Sequence, residues 1–376
     1  MHCRVVRYRH FSALFIIAAA LFLAGQPALA MNEPEDSGAV YVLGNQSSGN
    51  TVIVFQRAED GTLTRAQEVF THGLGGSDLG SQGALALSGR LLFAVNAGSN
   101  ELSVLEITED GVRFVDKAAS GGERPISVTV HGDIVYVLNA GGTSNVSGFR
   151  VTAFGKLRPI SNSTRSLAGS AQASPAQVQF SPDGELLLVT EKGTGMIDVF
   201  AMGDEGRILA QAAEASNNQT PFGFSFGRGR TVVVSEAVGG APGASTLSSY
   251  HVIDEDADSG DLKTISKSVP DTQTAACWVV ITGNGKAAFT SNTGSGTISS
   301  FDVAPRGKLS LAASVAADLG AGSGPVDMAL SRGSGFLYVL NSGFGTVTGF
   351  RVRGNHLIQV TNPGGLPATI QGIAAR

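Results

Sequence analysis

Two carboxylates carry the first suggestion of chemistry. Glu191 and Glu236 each close a short apolar run, Leu186-Leu187-Leu188-Val189-Thr190 and Thr231-Val232-Val233-Val234-Ser235, and they stand 45 residues apart. A repeat that brings them together would raise the pKa of one by like-charge proximity, toward a value useful for general acid or base work. The same column holds Asn96, Asn139, Asn292 and Asn341, whose carboxamides suit a polar ligand. His72 is a base near neutral pH, Arg124 a clamp for a carboxylate, and Trp278, the only Trp, an aromatic wall for a pocket. The competing reading is structural. Asn and Glu at strand ends accept local backbone N–H bonds, Arg124 pairs with Glu123, and Trp278 fills a core. His131, His251 and His356 fall in a hairpin turn and on outer strands and read as surface residues. A ring of Asn and Glu oxygens also suits a hard cation such as Ca²⁺, but no contiguous ligand loop is present. No metal or cofactor is therefore expected.

These residues must be positioned by a recurring unit, clearest in Val326-Asp327-Met328-Ala329-Leu330, Phe336-Leu337-Tyr338-Val339-Leu340-Asn341 and Thr346-Val347-Thr348-Gly349-Phe350. The runs are short, alternating or β-branched, and divided by Gly-rich turns, which marks consecutive antiparallel strands. The second strand of each unit ends at Gly44, Asn96, Asn139, Glu191, Glu236, Asn292 or Asn341; these seven anchors span 297 residues in six steps. A period of about 50 belongs to propeller blades. The expected fold is an all-β, seven-bladed β-propeller. The first blade has strands at 39–43, 51–56 and 63–70 but no inner strand before them. Residues 371–375, Gln-Gly-Ile-Ala-Ala, match the opening strand of the other units and are expected to complete that blade and close the ring. The anchors and the segments leading into each inner strand then share one rim, here the upper face, where loops on a rigid scaffold carry function.

The beginning of the chain has a different character. Arg4, Arg7 and Arg9 precede an apolar run at 11–23 and the small residues Ala28-Leu29-Ala30, the pattern of a cleaved export signal. The expected organisation is a signal at 1–30 and one propeller domain over 31–376, exported to the periplasm or beyond and with no membrane attachment after cleavage. Loss of the signal removes three Arg and no acid, moving the formal charge from −5 to −8. An acidic surface disfavours nucleic acid as a partner. Cys277 alone remains, so no intramolecular disulfide is expected. Fifty Gly with 42% hydrophobic and 15% charged residues suit many short strands and tight turns. No phosphate-binding loop with its Lys and no paired-Cys metal spacing is present.

The repeat resembles the lactonase-like propeller family, which includes bacterial 6-phosphogluconolactonases and fungal 3-carboxy-cis,cis-muconate lactonising enzymes. Phe180-Ser181-Pro182-Asp183-Gly184 and Tyr338-Val339-Leu340-Asn341 are similar to its blade signature, and Val234-Ser235-Glu236 to its blade-five strand ending in Glu. The resemblance implies a lactone opened or closed at the upper mouth by a His entering blade four, an Arg entering blade five and that Glu. Here Ala176 and Phe222 stand at the first two positions. Two functions follow as expectations. One is a lactone hydrolase with Glu236, Glu191 and His72 as its chemistry. The other is a non-catalytic propeller binding a protein, a glycan or a small acidic ligand on the upper face.

Overall fold

The computed structural model describes residues 36–256 and 259–376. The expected export signal at 1–30 lies outside the described residues, as does the tip, 257–258, of an acidic hairpin in blade five. Seven antiparallel sheets follow one another along the chain. Blade one combines Ile373–Ala375 with Gly38–Leu43, Thr51–Arg57 and Leu63–Phe70, in that order across the sheet. Its closing register is Val40 with Ala375, Tyr41 with Ala374 and Val42 with Ile373. The pairing runs on past the strand, because Gln371 N–H donates to Leu43 O and Leu43 N–H to Gly372 O, each at 3.0 Å. The ring is thus closed by the two ends of the propeller, and no inner edge of blade one is left unpaired.

The other blades run from inside to outside in chain order. Blade two is Leu85–Ser88, Leu91–Asn96, Glu101–Thr108 and Gly111–Ala119; blade four is Pro175–Phe180, Leu186–Glu191, Met196–Met202 and Ile208–Ala215. Blade five is Pro221–Phe226, Thr231–Glu236, Thr246–Asp256 and Ser259–Pro270. Blade six is Ala276–Ile281, Ala287–Asn292, Thr297–Val303 and Leu309–Asp318, and blade seven is Pro325–Leu330, Phe336–Asn341, Thr346–Arg353 and His356–Thr361. Blade three departs from the plan. After Glu123–His131, Ile134–Gly141 and Asn145–Val151 its outermost strand is broken into Leu157–Pro159 and Arg165–Ser166, which pair with opposite ends of Asn145–Val151. Pro159 has no N–H for the ladder and Asn162 takes φ 60°, so the strand cannot continue between them.

Burial follows position in the blade. The second strands of blades four to seven are buried at every residue, while the outermost strands Leu63–Phe70 and Ile208–Ala215 bury little beyond their first side chain. Sheets face each other through Val, Leu and Phe, each worth about 1.5–3 kcal/mol when taken from water. Tyr338 adds a polar tie between blades, its hydroxyl donating to Gly61 O at 2.9 Å. Gly61 has φ 93°, and a Cβ there would lie 2.2 Å from the Phe336 ring, so the hairpin of blade one can sit on blade seven only with glycine at that point.

The inner strands share a feature at the upper rim. Arg124, Ser174, Thr220, Ala275 and Gly324 all take left-handed backbone, φ 41° to 59°, just ahead of Pro125, Pro175, Pro221, Ala276 and Pro325. Each of these strands then slips register against its neighbour within a few residues. Bulges of this kind re-aim side chains at a sheet edge, and here they do so around one mouth.

Candidate functional site at the upper mouth

The anchor side chains turn into their own blades. Asn96, Asn139, Asn292 and Asn341 each donate through Nδ2 to a hydroxyl on the third strand, Ser103 at 2.8 Å, Ser147 at 3.2 Å, Ser299 at 2.8 Å and Thr348 at 2.7 Å. All four are buried. Glu236 follows the same rule with a carboxylate. Its Oε1 accepts from Ser248 Oγ at 2.7 Å and from Ser216 Oγ and Asn218 N–H at 3.1 Å, and its Oε2 accepts from the Thr246 hydroxyl. It clamps the third strand of blade five to the segment that leaves the outermost strand of blade four. Glu191 accepts from Gly169 N–H at 2.9 Å and from the Thr194 hydroxyl, and meets Asp198 on the third strand of its blade. Burial, with the Glu191 carboxyl beside it, pushes Asp198 up to about 8. Glu191 and Glu236 are both fully buried, and each is engaged by its own blade and the segment leading into it rather than by the other.

The mouth is instead occupied by the connection from blade one to blade two. Gln82 lies on the axis. Its backbone N–H donates to Ala176 O at 3.0 Å, its O accepts from Ser127 Oγ at 2.6 Å, and its carboxamide pairs with both polar atoms of the Val279 backbone, donating at 2.8 Å and accepting at 3.1 Å. A Cβ on Gly223 would come within 2.2 Å of Gln82 Oε1. One residue thereby touches blades three, four, five and six. The next, Gly83, donates to Asp327 Oδ2 of blade seven at 3.3 Å. Asp327 also accepts from Met328 N–H at 2.9 Å and from Ile373 N–H, and burial pushes it up to about 7.

Above Gln82 stands Lys192, the residue after the Glu191 anchor. Its Nζ donates to Gly80 O at 2.6 Å and lies 4.6 Å from the centre of the Phe222 ring, which stacks on Trp278 at 5.0 Å. Burial pulls the ammonium down to about 8, and the Arg124 guanidinium pushes the same way. A desolvated lysine against an aromatic wall is a group of altered acidity at a cleft, which is where chemistry is usually found. Arg124 is exposed and donates to Asp78 O at 2.8 Å and Ser77 O at 3.3 Å. Trp278 is buried under the same segment, its Nε1–H donating to Ser81 O at 2.8 Å. His72 is apart from this group. It is exposed and packs on Phe114 of the outermost strand of blade two at 4.4 Å.

The structure therefore brings together Arg124 and Trp278 of the sequence candidates and adds Lys192, Gln82 and Asp327. A signal for Lys192 was present. The position after the anchor is Asn45, Ala97, Ala140, Ala237, Thr293 and Ser342 in the other blades, so Lys192 is the one charged member of its column. Ala176 and Phe222 show how the mouth is filled where the resemblance implies a His and an Arg. Ala176 offers its carbonyl to Gln82, and Phe222 offers its ring face to Lys192.

Residues 33–167 match the family model for Lactonase, 7-bladed beta-propeller. No curated protein matches the chain in sequence. Among solved structures, a Bacteroides uniformis protein assigned as a 6-phosphogluconolactonase superposes with a TM-score of 0.70 at 19% identity, over 90% of this chain and 99% of that one. A Lactobacillus plantarum protein gives 0.72 at 18% identity over 90% and 99%, and the Pseudomonas aeruginosa periplasmic gluconolactonase 0.69 at 17% over 90% and 98%. At such identities the likeness speaks for the fold. Together with the closed ring of seven blades and the family model matched over residues 33–167, it makes this chain a lactonase-like seven-bladed β-propeller.

Proposed function

We propose that the protein is an exported hydrolase that opens a small lactone at its upper mouth. The observation that carries this reading is Lys192, a half-buried ammonium whose donor already points at a carbonyl oxygen, that of Gly80, over the Phe222 and Trp278 rings. In lactone hydrolysis, water adds to the carbonyl carbon and the carbonyl oxygen takes up negative charge. The ring C–O bond then breaks, its oxygen takes a proton, and a hydroxy acid leaves. A cation shielded from bulk water stabilises the oxyanion more strongly than one in solution. Arg124, at the outer edge of the same mouth, suits the carboxylate of the product or an acidic substituent of the substrate. Glu236 and Glu191 serve this site by holding the blades that carry Phe222 and Lys192. Export rests on the Arg-rich start with its apolar run, and a periplasmic destination has a counterpart in the Pseudomonas aeruginosa protein.

Hydrolysis of a panel of neutral and acidic lactones, followed by acid release, tests the reading. Turnover that falls by about 10²-fold or more in Lys192→Met is the expected result. No turnover above background in the native protein would remove the enzyme and leave a binding propeller. That second reading is favoured by one observation, the saturation of the Glu236 carboxylate by four donors.

A further inference from the structure

Residues 77–82 are held in a way that differs from the other loops on this rim. The segment is pinned at one end by Asn45, whose side chain both donates to Gly76 O at 2.6 Å and accepts from Gly76 N–H at 2.9 Å. It is pinned at the other end by Asp327 at Gly83. Between the pins it crosses the mouth, and the positive φ of Asp78, 41°, and of Gly80, 54°, bends it inward. Asp78, a non-glycine residue, is held in that region, a strain that persists where surrounding contacts enforce it.

What enforces it is a set of cation to carbonyl bonds. Arg124 donates to the carbonyls of Ser77 and Asp78, and Lys192 to that of Gly80. Among the described residues neither cation has a carboxylate within ion-pair distance. Two positive groups at one mouth, one of them half-buried, are thus answered by neutral partners, backbone oxygens and, for Lys192, the Phe222 ring, and a charged ligand oxygen would make a stronger partner for either.

We propose that residues 77–82 form a strap that occupies the mouth as a built-in ligand, and that a molecule presenting a carboxylate or a lactone carbonyl oxygen, a hydroxy acid or its lactone, binds by displacing it from Lys192 and Arg124. This rests on the lactone reading for the ligand class but not for the strap itself. Gln82 is then a positioning residue. Its bonds to Val279 and Ala176 fix the depth at which the Gly80 carbonyl meets Lys192.

Acetylation of the protein by acetic anhydride, read by peptide mapping, tests the strap without any ligand, with exposed Lys286 as the internal reference. Lys192 should react at least about tenfold more slowly than Lys286 in the native protein, since its reaction requires local opening. Arg124→Met, a change at an exposed side chain, should raise the Lys192 rate about threefold, and Gln82→Ala by about tenfold, with Lys286 unchanged. Equal rates for Lys192 and Lys286 in the native protein, or a Lys192 rate unmoved by Arg124→Met, would overturn the strap, and the second result decides even where Gln82→Ala fails to fold. Displacement is read separately, by hydrogen exchange at residues 77–82 with saturating D-gluconate. Exchange that speeds up is the expected result; unchanged or slower exchange would overturn displacement. Absent lactone turnover alongside the expected labelling pattern would sink the lactone reading alone.

Discussion

Asp198 and Glu191 meet inside blade four, both fully buried, and burial beside the Glu191 carboxyl favours the protonated form of Asp198. In blades two, three, five, six and seven a Ser or Thr fills the place of Asp198, giving the anchor a hydroxyl. Blade four has two acids there, and ionising Asp198 would leave its charge buried beside another acid.

A pH dependence of stability follows. Asp198, Asp327 and Asp271 are all raised, to about 8, 7 and 6, with burial as the leading cause in each. An acid whose folded pKa lies above its unfolded value of about 3.9 contributes stability that is complete below that value and is lost as pH rises through the folded pKa. The melting temperature should therefore fall as pH is raised from about 5 to 8. Lys192, lowered to about 8, acts in the opposite sense, its contribution growing as pH rises above that value, so the scan is read below it. Asp198→Asn should flatten the upper part of the profile. A melting temperature that rises across this window would contradict the assignment of the buried acids.

Glu236→Gln should weaken the fold. The carboxylate accepts from three hydroxyls and one backbone N–H, and a carboxamide presents an N–H₂ group to part of that set. Hydrogen bonds to a charged group contribute about 1.5–3 kcal/mol each, so a loss of about 2 kcal/mol is expected in denaturant unfolding. Unchanged stability combined with abolished turnover would return Glu236 to the chemistry.

Lys192→Met should separate activity from stability. It removes a partly desolvated ammonium while keeping an apolar stem over Phe222, so the melting temperature is expected to stay level or rise while lactone turnover is lost. A large fall in melting temperature would make Lys192 a structural residue instead.

Removing residues 372–376 should open the ring. Three register pairs with Gly38–Leu43 go with them, as does the Ile373 N–H that Asp327 accepts. The truncated chain is expected to melt well below the full one in a calorimetric scan. Identical melting would mean that closure contributes little.

The architecture was legible because it rests on local chemistry that repeats. Alternating strands such as Phe336–Asn341, the turn at Ser181-Pro182-Asp183-Gly184, and a spare strand at the chain's end each carry their own signal. Blade three's outermost strand was not, because Leu157–Pro159 and Arg165–Ser166 are each too short to form a pattern. In the site, the anchor column was visible but its direction was not. Whether Glu236 faces the mouth or its own blade is decided by Ser216 and Asn218, which follow the outermost strand of blade four and carry no mark in sequence. The Gly-rich stretch before Gln82 looks like any long loop until its partners across the axis are known.

Closure of blade one also bears on how the chain reaches this state. Gly38–Leu43 comes first among the propeller's strands, yet its inner neighbour Ile373–Ala375 comes after all the others, and Gln82 must find Val279 across 197 residues of chain. Contacts this distant in sequence slow folding, since the entropy of bringing the ends together is lost before the contacts form. Until the last strand arrives, Gly38–Leu43 presents an open strand edge, the kind that recruits other chains. A growing chain of this sequence is therefore vulnerable to aggregation until the strand after blade seven has been made. A carrier that covers blade one's edge, or delivery across a membrane before folding begins, would relieve it.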